Sequence, residues 1–191
     1  MRDLAGYADA APGVTMFDFT GGRIAAMNDM ILEEMRTSDP TPAARYGDDI
    51  LNRRATECLF DRDPLPPGLA GLAARLYPAL AAYLGRHRPD LVGLPYRHRS
   101  WCNHFKPNEG VPWHDHRGTP VVAVYSVKGT GGDLIVQSPD KPHRCHRIET
   151  PPGRMIFMPG SLRHCATPNF GPAETRVSLP VNFSFGPHER P

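Results

Sequence analysis

The sequence predicts an α+β fold in which a helical first half supports a β-rich second half. Two observations carry this prediction. Apolar residues recur at intervals of three and four in two separate stretches before residue 86, and from Arg99 onward they fall into strand-length runs divided by Gly/Pro turns. Helices segregated from strands along a chain pack on one face of an antiparallel sheet.

The first helical stretch, GGRIAAMNDMILEEMR, puts Ile24, Met27, Ile31 and Met35 on one face. The second, PGLAGLAARLYPALAAYLG, does the same with Leu69, Leu72, Leu76, Leu80 and Leu84. Pro78 predicts a bend or split there, because its ring clashes with the preceding turn and it has no N–H to donate. Both stripes are core-packing faces. Between the two, the sequence reads as loop with one short helix near residues 45 to 54.

Seven runs then read as strands: RSWCNHFK, VPWHDH, PVVAVYSV, DLIVQS, RMIFMP, LRHCAT and TRVSLPVNFSF. They predict an antiparallel sandwich or barrel, with the helices on its outside. Residues 138 to 152, which hold Lys141, Arg144 and Arg147 as well as Cys145 beside His143 and His146, read as a solvated loop. Pro180 gives up a ladder hydrogen bond, so an edge or bulged position is expected for it.

A chain of 191 residues with 40% hydrophobic and 22% charged content is long enough for one substantial core. A single domain, 1–191, is expected, with 1–98 mainly helical support and 99–186 the catalytic core. The net charge of +2 is too mild for a nucleic-acid footprint, and no basic run is interleaved with aromatics. No stretch approaches the ~18 apolar residues of a membrane span, and MRDLAGYADAAPGVTMFDFT has no apolar leader core, so a cytoplasmic protein without nucleic-acid or membrane partners is expected. Cys58, Cys102, Cys145 and Cys165 show no CxxC spacing and read as small, mostly buried residues.

The stretch PWHDHRGTPVVAVYSV carries the chemistry. On a strand, His114 and His116 project together while Asp115 points away. Two imidazoles on one face suit a first-row divalent metal, and His164, after a strand and a PG turn, supplies a third. Near the end of the chain, Arg176 and Ser178 share a strand face, and a guanidinium fork beside a hydroxyl holds a carboxylate. Glu174 offers Arg176 a surface ion pair instead.

In order along the chain, PNEGVPWHDH, GG before DLIV, PPGRMIFMPGSLRHCATPNFG and ETRVSLPVNFSF resemble the iron(II)- and 2-oxoglutarate-dependent oxygenases. The likeness spans about residues 99 to 185. It implies a double-stranded β-helix (jelly-roll) core with N-terminal helices packed on its outside, and a requirement for Fe(II), 2-oxoglutarate and O2. It further implies metal ligation by His114, His116 and His164, with Asp115 as the alternative to His116 because the family pattern has a carboxylate at the His116 position. Arg176 and Ser178 match the pair that binds the far carboxylate of 2-oxoglutarate, and Asn103 and Tyr125 are further co-substrate contacts. Phe105 stands where related branches place a tyrosine, so Asn103 or Lys106 takes up that contact. The activity implied is hydroxylation of a C–H bond in a small-molecule or amino-acid-like substrate, or a peptide-derived metabolite. A cupin-type dioxygenase or isomerase, and a non-catalytic barrel, are the alternatives.

Overall fold

In a computed structural model that describes residues 7–38, 58–129, 131–170 and 175–186, the two apolar stripes form helices α1 (Gly22–Ser38) and α2 (Pro67–His87). Every stripe residue is buried. Pro67 opens α2, where a missing N–H costs nothing. The next two amides of α2 donate to Glu34 on α1, Gly68 N to Oε1 at 2.6 Å and Leu69 N to Oε2 at 3.1 Å, so one helix caps the other. Pro78 does not split α2. It lies on the exposed face, as does Ala74 one turn earlier, where water can satisfy the carbonyl that proline leaves without a donor. The short helix expected near residues 45 to 54 lies outside the described residues.

Eleven strands are found among the described residues: β1 (Tyr7–Ala11), β2 (Val14–Asp18), β3 (Tyr96–Ser100), β4 (Asn103–Phe105), β5 (Val111–His114), β6 (Val121–Lys128), β7 (Asp133–Gln137), β8 (Cys145–Glu149), β9 (Arg154–Pro159), β10 (His164–Ala166) and β11 (Arg176–Phe185). The major sheet runs β1-β2-β9-β6-β11-β3, with β4 also pairing β11, and the minor sheet runs β5-β10-β7-β8. Every strand pairing is antiparallel. The hairpin β1–β2 extends the sheet from a region read as mainly helical. β8, in the segment read as a solvated loop, pairs with β7 from Asp133↔Glu149 to Gln137↔Cys145. Both β1 and β8 are largely exposed, so neither needed the apolar alternation that marks a strand. Exposure also corrects the reading of the cysteines: Cys145 is exposed, and Cys58, Cys102 and Cys165 are only half-buried.

Strand alternation divides the apolar residues between two cores. Val121, Ala123, Tyr125 and Val127 of β6, with Met155 and Phe157 of β9, pack under the helices. Val122 of β6 and Ile156 and Met158 of β9 face the minor sheet, against Leu134, Val136 and Ile148. In β11, Val177, Leu179, Val181 and Phe183 join the helix-side core. Their alternates Arg176, Ser178, Pro180 and Asn182 face into the space between the sheets. Pro180 is neither on an edge nor bulged, because β11 is flanked by β6 and by β3 and β4. The Pro180 carbonyl accepts from Trp101 N–H at 3.4 Å, so its nitrogen also faces the side where β3 has ended and β4 has not begun. A proline there forgoes only the reciprocal bond to Trp101, at a break between two strands. No described helix is long and apolar enough to cross a membrane.

Removing the inter-helix cap should weaken the fold without touching the space between the sheets. Glu34→Ala is expected to cost about 1 kcal/mol, as loss of a helix cap typically does, read as a lower urea midpoint with an unchanged slope.

Candidate metal centre

The site is built where the minor sheet closes on the loop after β5. His164 on β10 pairs directly with His114 on β5, which brings their ring centres to 4.3 Å. His116 lies beyond the end of β5, not on it as the strand reading required. It reaches the others through backbone contacts: its N–H donates to the Gly160 carbonyl at 2.7 Å, and its own carbonyl accepts from Thr119 N–H at 2.9 Å. Gly160 has to be glycine, since a Cβ there would run into the Thr119 carbonyl oxygen. The His116 ring lies 5.0 Å from that of His114 and 5.2 Å from that of His164. One ring nitrogen from each of the three falls within 4.8 Å of the others.

Hydrogen bonds decide which nitrogen each ring presents. His114 Nδ1 lies 2.8 Å from the Pro112 carbonyl, and His164 Nδ1 lies 2.7 Å from the Leu162 carbonyl. A carbonyl only accepts, so both rings carry their proton on Nδ1 and leave the Nε2 lone pair free. At His116, Nδ1 faces the amide nitrogen of Asn182 at 3.1 Å, while Asn182 Oδ1 is buried without a partner among the described residues. A half-turn of that amide puts Oδ1 on Nδ1–H, satisfies the orphan oxygen and gives all three rings the same tautomer. Burial, with His114 adjacent, pushes His116 down to about 4. Burial pushes His164 down to about 4 as well, against the opposing pull of the Leu162 carbonyl. Both rings are therefore neutral near pH 7, the form that binds a metal. Asp115 borders the cavity, but its carboxylate accepts from Arg117 Nε at 3.2 Å and lies outside the three-histidine cluster.

The same cavity, about 240 Å³, is lined by Asn103, Phe105, Arg176 and Ser178 as well as by the histidines. Arg176 and Ser178 are buried. The guanidinium lies over the Phe105 ring, 5.0 Å from its centre, and Nη1 donates to the Thr167 carbonyl at 3.2 Å. A Cβ at Gly132 would occupy the position of Nη1, so that glycine makes room for the arginine. Burial pushes Arg176 below its ordinary value, and Asp133, the charge that opposes this shift among the described residues, is itself paired with Arg147 at 2.6 Å. Among the described residues no carboxylate is in ion-pair contact with Arg176, and Glu174 lies outside them. A buried cation facing a cavity without a counter-ion is a receptor for an anion. Asn103 accepts from Trp101 Nε1 at 3.1 Å, and Lys106 is exposed.

Tyr125 is not brought to this cavity. It points to the opposite face of β6, where its hydroxyl donates to Asn28 Oδ1 at 2.7 Å inside the helix-side core. Its parity matches that of Val121 and Ala123, whereas the cavity takes Val124. Asn182, Arg99 and Trp101, which also line the cavity, were missed. Asn182 was nonetheless within reach of the sequence, since it continues the every-second-residue series from Arg176 and Ser178.

No protein-family model matches the sequence, and no curated protein matches it. Solved structures do. A prolyl-4-hydroxylase from Pseudomonas putida is 16% identical, with a TM-score of 0.62 over 91% of this chain and 89% of that one. A prolyl hydroxylase from Trichoplax adhaerens, solved with a hypoxia inducible factor peptide fragment, is 12% identical, with a TM-score of 0.62 over 91% and 84%. The non-heme alpha ketoglutarate dependent epimerase SnoN of nogalamycin biosynthesis is 14% identical, with a TM-score of 0.61 over 91% and 78%. At these identities the likeness is one of fold: the chain shares their double-stranded β-helix, and its three histidines are compatible with an HxH version of the pattern.

If Asn182 orients His116, Asn182→Ala should weaken divalent-metal binding about 10–100-fold, the usual effect of removing a partner behind a metal ligand, while Asn182→Asp, which can only accept, restores it. Proton-detected nitrogen NMR of the metal-free protein should show His116 Nδ1–H in the parent and lose it in Asn182→Ala.

Proposed function

We propose that this chain is an iron(II)- and 2-oxoglutarate-dependent oxygenase that hydroxylates a C–H bond of a small-molecule or amino-acid-like substrate. The observation that carries this reading is the coincidence, in one cavity, of three histidines whose ring nitrogens converge and a buried arginine–hydroxyl pair that has no counter-ion among the described residues. A metal site alone would not need Arg176, and an anion pocket alone would not need the histidines.

The residues fit the groups. His114, His116 and His164 would hold the iron, imidazole being a suitable donor for it. Arg176 and Ser178 would hold the 5-carboxylate of 2-oxoglutarate, with Asn103 beside them. When bound, iron with 2-oxoglutarate and O2 supplies oxidation of a C–H bond, coupled to decarboxylation of the co-substrate to succinate. The protein's own work is positioning and exclusion of water. Phe105 under the guanidinium and Leu134 and Val124 along the wall give the cavity apolar sides, which strengthen the arginine–carboxylate attraction by lowering the local dielectric. Three neutral ligands leave the ion its full positive charge, which favours a dianionic co-substrate over a neutral one.

The volume supports a small co-substrate inside. About 240 Å³ is below the ~300–1,000 Å³ of sites that enclose drug-sized ligands, so the substrate to be oxidised would extend out of the cavity toward solvent, past the exposed lining residue Arg99. The solved structures of this fold include a hydroxylase and an epimerase, and hydroxylation is the outcome we assign to this chain.

With iron and O2 present, the purified protein should convert 2-oxoglutarate to succinate, and a panel of amino acids and small metabolites should include a compound that accelerates it. Arg176→Ala should leave iron content intact and raise the 2-oxoglutarate requirement by about thirty-fold or more, matching the ~2–5 kcal/mol typical when one partner of a buried charged pair is removed. An unchanged 2-oxoglutarate titration in that variant would contradict the assignment of Arg176.

A further inference from the structure

The edge strand β3 has two faces. Arg99 lines the cavity, while His98 and Ser100 point to the helix side, behind the sheet. The His98 ring packs against Phe60 and Tyr77, with ring centres 5.8 Å and 6.1 Å away. Cys58, just before the short 3-10 turn Leu59–Asp61, places its Sγ 3.1 Å from His98 Nδ1 and 3.1 Å from Ser100 Oγ. Leu59 N–H donates to Ser100 Oγ at 3.0 Å, so the serine hydroxyl hydrogen is left to donate to the sulfur. The other imidazole nitrogen, His98 Nε2, lies 3.2 Å from Tyr77 Oη. Asp61, at the end of the same turn, completes the group: its carboxylate oxygen, Cys58 Sγ and a His98 nitrogen all lie within 4.8 Å of one another.

We propose that Cys58, Asp61 and His98 form a second metal site, separate from the three-histidine centre, that takes a thiolate-preferring divalent cation of the zinc class. Sulfur, imidazole and carboxylate are the donors zinc uses, and three from the protein leave a fourth position for water or a further ligand. The supporting groups are already arranged. With His98 Nε2–H donating to Tyr77 Oη, 3.2 Å away, the Nδ1 lone pair is left for the sulfur side, where the ion would sit. The Ser100 hydroxyl stabilises the sulfur as thiolate. Binding replaces the hydrogen between Sγ and Nδ1, so one proton is released for each ion bound. Asp61 is exposed and Cys58 and His98 are half-buried, which gives the ion a way in. Cys58 and Asp61 flank one turn and His98 sits on the last strand of the major sheet, so the ion fastens the approach to α2 onto that edge.

Cobalt(II) added to the full chain is the probe, because a thiolate ligand gives a strong near-ultraviolet charge-transfer absorption that the three histidines cannot produce. The absorption is expected in the parent and, at the same final intensity, in His164→Ala. It should be lost in Cys58→Ser and in His98→Ala, and equimolar zinc should displace it from the parent. Circular dichroism of the two silent variants confirms that they are folded. Absence of the absorption in the parent would overturn the proposal, as would its persistence in Cys58→Ser, which would place the metal on another cysteine. Neither result would bear on the three-histidine centre.

Discussion

The pairing of His114 with His164 across β5 and β10 is the constraint on which the rest of the site depends. In an antiparallel pair, directly opposed residues project on the same side at the shortest cross-strand distance. Opposing two histidines therefore brings their rings together without help from a loop. Sliding β10 by one residue would put Cys165 in place of His164 and turn the imidazole to the other face of the sheet. The register is held on the far side of β10 by β7, where His164 pairs with Val136 and Ala166 with Leu134, both in the core between the sheets. Apolar burial on one side thus fixes a polar alignment on the other.

The remaining parts are placed by the same economy. β11 is a partition whose odd-numbered residues from Val177 to Phe183 belong to the helix-side core, and whose even-numbered residues from Arg176 to Asn182 line the cavity. A strand so divided holds an arginine, a serine and an asparagine at fixed intervals and is anchored by its opposite face. His116 is the exception, since no strand carries it. It is held by its backbone contact with Gly160 and by Asn182, so its position depends on a tight turn and one amide.

How much of this could be read from residues alone follows from the physics. Ile24, Met27, Ile31 and Met35, and the leucine series of α2, were legible because burial demands apolar periodicity. His114, His164, Arg176 and Ser178 were legible as chemistry because their types and order are unusual together, and the structure gathers them around one cavity. β1 and β8 were not, because strands with YADAA and CHRIE exposed to solvent need no apolar signature. Tyr125 was misplaced because alternation gives two faces to VVAVYSV without saying which is inward. His116 was gathered with the others, but the pleat argument that put it there fails, because β5 ends at His114 and a turn does the placing.

In the function we propose, the three histidines and the Arg176 pocket act on one ligand set. The most direct test is optical: 2-oxoglutarate is added, without oxygen, to the protein loaded with iron(II). Chelation of the iron by the 2-oxo acid gives a weak visible charge-transfer absorption, which needs the metal and the co-substrate together. The absorption is predicted in the parent, and its loss is predicted in His164→Ala. An iron-loaded parent that binds 2-oxoglutarate and stays colourless would contradict the account, because the acid would then be held away from the metal.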